Sequence, residues 1–153
     1  MADVMNGPAG RIARVRSMME QRGYDAVVVR DEANLRWLTG AMGVFDYTFE
    51  FPHVAFISAD RCYLHTDSRY FNSFNENLPE GHPWKLDMDE VAMTRWVADR
   101  ALETKSSVIA VEDDMQISFF RGIERGLEDV SICARLPLLH GDIQRMRAVK
   151  DAE

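Results

Sequence analysis

Near the start of the chain, Ile12, Val15 and Met19 recur at helical spacing while Arg11, Arg14 and Arg16 fall off that stripe, and Gly23 stands where such a helix would end. The spacing predicts an amphipathic helix over residues 9–22. Residues 26–29, Ala-Val-Val-Val, are β-branched and show no alternation, which is how a strand buried on both faces reads. Residues 34–40, Asn-Leu-Arg-Trp-Leu-Thr-Gly, predict a short turn of helix that stops on glycine. They open a long aromatic segment carrying Phe45, Tyr47, Phe49 and Phe51, with few cues for regular structure.

Two strands, 53–58 and 62–65, follow at hairpin spacing around Ala59, Asp60 and Arg61. Asp67 is expected to cap a helix whose apolar stripe is Phe71, Phe74 and Leu78, broken by the prolines and glycine of residues 79–83. A short strand is expected over residues 84–87. Asp87 and Glu90 then have capping-box spacing ahead of a helix facing Met93, Trp96, Val97 and Ala101 inward. Residues 108–111 read as a second strand buried on both faces, followed by an acidic turn at Glu112, Asp113 and Asp114. Next comes a helix carrying Phe120, Ile123 and Leu127. Residues 130–134 alternate like a half-buried strand, residues 136–141 look like a linker, and a new helix with Ile143, Met146 and Val149 on one face begins at Asp142. A hairpin followed by alternating strands and helices predicts an α/β fold: a mixed sheet of about six strands, helices on both faces, with 26–29 and 108–111 central.

Composition narrows the partners. The 153 residues suit one domain with a real core, and 46% of them are hydrophobic. A net charge of −7, with basic residues scattered rather than gathered in a stripe, argues against nucleic acid. No apolar run approaches the ~18 residues of a membrane span and the first residues do not resemble a secretion signal, so the chain reads as soluble and cytoplasmic, with no membrane partner. Cys62 and Cys133, the two cysteines, both fall in predicted strands and are expected to be small buried hydrophobes.

His53, His65, His82 and His140 are widely separated and form no ligand motif, so no metal site is predicted; the acidic clusters at 87–90 and 112–114 read as capping and solvated turns. No serine or cysteine sits in a nucleophile setting, and no catalytic residue is assigned. In Thr66-Asp-Ser-Arg-Tyr70, Arg69 is free to pair with a carboxylate or carbonyls, in a structural role or a substrate-facing one. The aromatic segment reads as a surface cover or, the favoured reading, part of an interface or pocket. Asp46, Phe49 and His53 are its candidate contact residues, supported by Arg36 and Arg69.

Four short motifs in order carry a family resemblance: Gly23-Tyr-Asp-Ala26, residues 34–40 with Trp37 where tyrosine is usual, Thr66-Asp-Ser-Arg-Tyr70, and Arg147-Ala-Val-Lys-Asp-Ala-Glu153. Over nearly its whole length the chain resembles the N-terminal domain of the aminopeptidase P, prolidase and creatinase family. The resemblance implies a ribonuclease-H-like sheet in a domain without catalysis of its own, which builds a homodimer and leans a loop toward the active site. It places residues 1–137 in that domain and 138–153 in the linker and first helix of a C-terminal catalytic domain that holds two divalent metal ions (Mn, Co or Zn). The substrate it implies is a peptide with proline at the second position. A creatinase-like amide or amidine hydrolase, or a peptide- or protein-binding module, are the alternative readings.

Overall fold

A computed structural model describes residues 7–41, 44 and 51–148. Helix α1 (Pro8–Arg22) starts with proline in its first turn and ends on Gly23 in the left-handed conformation. After it come β1 (Ala26–Val29), α2 (Glu32–Thr39), β2 (Val54–Ser58), β3 (Cys62–His65), α3 (Phe71–Asn77), β4 (Lys85–Asp87), α4 (Met93–Thr104), β5 (Ile109–Val111), α5 (Ile117–Asp129) and α6 (Asp142–Ala148). The sheet order is β4-β3-β2-β1-β5. β2 runs antiparallel to both β1 and β3, whereas β5 is parallel to β1 and β4 is parallel to β3. It follows that β1, β3, β4 and β5 all point one way and β2 alone is reversed.

Period-two alternation divides the core cleanly. Val27, Val29, Ala55, Ile57, Leu64 and Ala110 face α1, α2 and α6, where they meet Ile12, Val15, Leu35, Leu38 and Ile143. Ala26, Val28, Phe56, Tyr63, Ile109 and Val111 face α4 and α5, against Trp96, Val97, Phe119 and Ile123. All four residues of β1 are fully buried, as the unalternating run predicts. Each large aliphatic side chain so placed contributes roughly 1.5–3 kcal/mol relative to exposure. Among the described residues, no helix is long and apolar enough to cross a membrane.

Several expectations need correction. Residues 130–134 form no strand: α5 runs on to Asp129, and the alternation there only half-buries the chain beneath the helix. The stretch expected to be a linker takes that place instead. Bridges from Val108 to Arg135 and from Val111 to Leu138 lay it parallel to β5, with the Ile109 and Val111 amides donating to the Arg135 and Pro137 carbonyls. β5 ends the five-strand order yet is covered on its outer edge, and Pro137 sits on this outermost segment, where a missing N–H is tolerated. Cys62 is buried in β3, but Cys133, having no ladder to hold it, is exposed.

Two caps are also misplaced. Tyr70, not Asp67, occupies the N-cap of α3, and the Asp67 carboxylate is turned back to the Arg69 amide and guanidinium. Ala92 is the N-cap of α4 with no side-chain bond, because Asp87 is drawn instead to His65 and Trp96.

The α2 motif closes as its sequence indicates. The Asp31 carboxylate accepts from the Asn34 amide at the N-terminus, and Gly40 ends the helix at φ +66°. A Cβ on Gly40 would lie 3.0 Å from Pro79 Cγ and 3.2 Å from Pro8 Cγ. Trp84 secures the same corner by donating its indole N–H to the Leu38 carbonyl at 3.1 Å. Gly40→Ala combines a left-handed backbone with this crowding, and should lower stability by at least about 1–2 kcal/mol. Urea unfolding followed by tryptophan fluorescence measures the shift in midpoint.

Candidate functional site

Four strands deliver their carboxyl ends, and β2 its amino end, to one edge of the sheet, where buried backbone gives way to polar side chains. Arg30 follows β1, Pro52 and His53 precede β2, Thr66 and Asp67 follow β3, Asp87 closes β4 and Glu112 follows β5. Open α/β sheets commonly bind their ligands outside the carboxyl ends of the strands. Here two adjoining cavities lie on that edge. One, about 500 Å³, is lined by Arg30, Phe51, Pro52, Asp67, Arg69, Met93 and Gln116. Its neighbour, about 450 Å³, shares Pro52, Asp67 and Met93.

Glu112 is the most enclosed carboxyl group here, at 3% exposure, so its expected place in a solvated turn is corrected. The carboxylate accepts from the Arg30 amide at 2.7 Å, the Asp31 amide at 3.0 Å and Asn34 Nδ2 at 2.6 Å. Asn34 passes the connection on, its Oδ1 accepting from Arg147 Nε of α6 at 2.8 Å. Burial pushes the Glu112 carboxyl up to about 7, against the three donors that pull it down.

Arg30 stacks on Phe119 at 4.4 Å and on Phe51 at 5.7 Å and donates to the Phe51 carbonyl. Burial lowers its pKa, opposed by the Glu112 charge beside it. The guanidinium is thereby fixed as a flat cationic wall of the larger cavity. Beside it, Arg69 holds Asp67 with Nε at 3.0 Å and Nη2 at 2.7 Å, and its guanidinium carbon lies 5.5 Å from the Tyr70 ring centre.

His53 lies beneath this surface rather than on it. It is 1% exposed, packed edge-on against Phe51, Tyr70 and Phe74, with Nδ1 2.9 Å from the Thr66 hydroxyl. Burial pulls its pKa down to about 4. Arg36 points outward from α2, pairs with Glu32 at 3.1 Å and lines neither cavity. Asp46 and Phe49 lie outside the described residues, as does Val149. Thus Arg69 lines the larger cavity, His53 supports its floor, and Arg36 is apart from both. Arg30 is not singled out by motif or spacing, and Asp87, Glu112 and His65 read only as a helix cap, part of a solvated turn and a histidine outside any ligand motif. Their common signal is position: each is the polar residue that ends, or immediately follows, a strand at its carboxyl edge.

Among the described residues, no three His, Cys, Asp or Glu side chains gather as a metal site.

The chain matches the Creatinase/Prolidase N-terminal domain family over residues 11–149 and belongs to that family. No curated protein matches it in sequence. Solved structures share the fold. The aminopeptidase P of Streptococcus thermophilus is 17% identical with a TM-score of 0.74, the match covering 92% of this chain and 98% of that one. The N-terminal domain of the cytoplasmic peptidase PepQ from Mycobacterium tuberculosis is 21% identical with a TM-score of 0.73, covering 90% and 98%. The Xaa-Pro dipeptidase of Bacillus anthracis is 20% identical with a TM-score of 0.77; the match covers 94% of this chain but only 37% of that one.

The two buried titrating groups oppose each other. Folded Glu112 keeps its proton to about 7 whereas its ordinary value is 4.5, so ionisation removes stability as pH rises through that window. Folded His53 resists protonation down to about 4 against an ordinary 6.5, so its stability, complete above 6.5, is lost as pH falls toward 4. Each term is on the order of 3 kcal/mol, and the windows nearly coincide, so wild-type stability should change little between them. Glu112→Gln should expose the histidine slope, with urea midpoints rising with pH. His53→Phe should expose the carboxylate slope, with midpoints falling. Urea melts in steps of pH across both windows measure the two slopes.

Proposed function

We propose that this chain is the N-terminal domain of an Xaa-Pro metallopeptidase, an aminopeptidase P or a proline dipeptidase, located in the cytoplasm. In this reading it does no catalysis itself, forms the homodimer, and presents the carboxyl edge of its sheet toward the peptide substrate. The observation that carries the reading is membership of the Creatinase/Prolidase N-terminal domain family, joined to a polar groove at the edge where such sheets place ligands. Residues 138–153 act as linker and first helix of a C-terminal catalytic domain, the partner that holds two divalent ions, Mn, Co or Zn. Leu139 and Ile143, both buried against the sheet, are the hold this domain keeps on that helix.

Asp46, Phe49, His53 and Arg69 supply the substrate-side surface. A metal-bridged hydroxide in the catalytic domain would attack the bond preceding proline. The full-length protein should cleave Xaa-Pro dipeptides or longer Xaa-Pro peptides and leave creatine untouched. Asp46→Ala and Phe49→Ala should raise KM several-fold with metal content unchanged. Steady-state kinetics and metal analysis of the purified variants measure both. Cleavage of creatine instead would favour the amidine-hydrolase reading, and inactivity on all three substrates a binding module.

A further inference from the structure

The second cavity on the sheet edge has a different chemistry from the first. Its floor is His65, 4% exposed, whose ring lines the space together with Pro52, Met88, Val91 and Met93. His65 Nδ1 lies 2.6 Å from Asp87 Oδ1, its register partner on β4. A carboxylate can only accept at that distance, so Nδ1 carries a proton and the pairing selects the tautomer in which Nε2 is the acceptor. Both oxygens of Asp87 are engaged: Trp96 Nε1 donates to Oδ2 at 2.9 Å and the Asp89 amide to Oδ1 at 3.2 Å. The tautomer and the plane of the ring are therefore locked, as they are in histidines held by a carboxylate behind them. Among the described residues, Nε2 has no hydrogen-bond partner, and His65 is one of the residues that line the cavity.

The rim completes the pattern. Asp67, Asp89 and Glu90 all line the space. Arg69 offsets the charge of Asp67, but among the described residues no basic side chain pairs with Asp89 or Glu90. An anion would meet two uncompensated carboxylates and an acceptor nitrogen. A metal ion finds no converging set of three ligands among the described residues. What fits is a donor-rich cation on an apolar stem: the stem lies along Met88, Val91, Met93 and Pro52 while the head reaches His65 Nε2 and the carboxylates. The volume, about 450 Å³, falls in the ~300–1,000 Å³ range of small-ligand pockets.

We propose that this cavity binds an alkylammonium group, either the side chain of a lysine in a peptide or a small free amine. The proposal concerns recognition alone and does not depend on the peptidase reading.

The 153-residue chain, labelled at backbone nitrogen and methionine methyls, is titrated at neutral pH with three probes followed by NMR. The probes are n-butylammonium chloride, the peptide acetyl-Gly-Lys-Gly-amide, and n-butanol as the neutral isostere of the first. Saturable shifts at the Met88 and Met93 methyls and at His65 with n-butylammonium, absent with n-butanol, are expected. Matching shifts from the peptide identify lysine side chains as a source; shifts from n-butylammonium alone identify small amines. His65→Phe, which keeps a buried ring but removes the acceptor, should weaken binding on the order of tenfold, the loss of one hydrogen bond to a charged group. Asp89→Asn with Glu90→Gln changes only exposed side chains and should weaken it several-fold with the spectrum otherwise intact. The proposal is overturned if neither cation gives saturable shifts at these residues, if n-butanol binds as well as n-butylammonium, or if the folded Asp89→Asn/Glu90→Gln protein binds n-butylammonium as tightly as the wild type.

Discussion

A carboxylate enclosed at the end of a sheet must find donors nearby or give up its charge, and Glu112 does some of both. Its three donors come from the turn after β1 and from the first turn of α2, so a single side chain fixes where the chain goes on leaving the central strand. That turn sets the direction of α2 and, through Asn34 and Arg147, the seating of α6. It also sets the position of Arg30, whose own amide is one of the donors. Three distant parts of the sequence, around residues 30, 112 and 147, are thus bound to one another by polar contacts that apolar packing alone would not have specified. Removing a partner from such a network costs more than its bonds contribute, because the remaining groups stay buried.

The sheet edge owes its chemistry to strand direction. With β2 alone reversed, four carboxyl ends converge, and every side chain just past a buried strand emerges at the same place. The result is two neighbouring cavities of opposite character. The larger is walled by Arg30 and Arg69, both stacked on aromatic rings, and the smaller by an imidazole and carboxylates. Asp67 stands between them and is held by Arg69, which keeps the two fields apart.

The fold could be read from the sequence wherever periodicity was strong. The β-branched runs at 26–29 and 109–111, the hairpin around Asp60 and the stripes of α1 and α4 all lie where the pattern put them. The two misplaced caps have the local spacing of helix caps, but each carboxylate meets another donor instead: Asp67 the guanidinium of Arg69, close by in the chain, and Asp87 the ring of His65 on the neighbouring strand. Residues 130–134 alternate correctly for a surface half-buried under α5, and alternation cannot tell that from a strand. The site was less legible. Arg69 could be picked out by its motif, but the burial of Glu112 and the pairing of His65 with Asp87 depend on residues 22 to 82 positions away, which no local pattern reports.

The placement of β5 bears on how the chain acquires its structure. β1, β2 and β3 are joined by antiparallel contacts between near neighbours in sequence, but β1 also pairs Ala26 with Ile109, and β5 in turn is flanked by residues 135–138. Contacts of such long separation form slowly, because the intervening chain must be ordered first. On a ribosome the β1–β3 meander emerges before its parallel neighbour, so one edge of β1 and the apolar face that meets α5 stay uncovered until residues 109–129 follow. During that interval β1 offers an unpaired, apolar edge, the kind of strand edge through which chains associate wrongly.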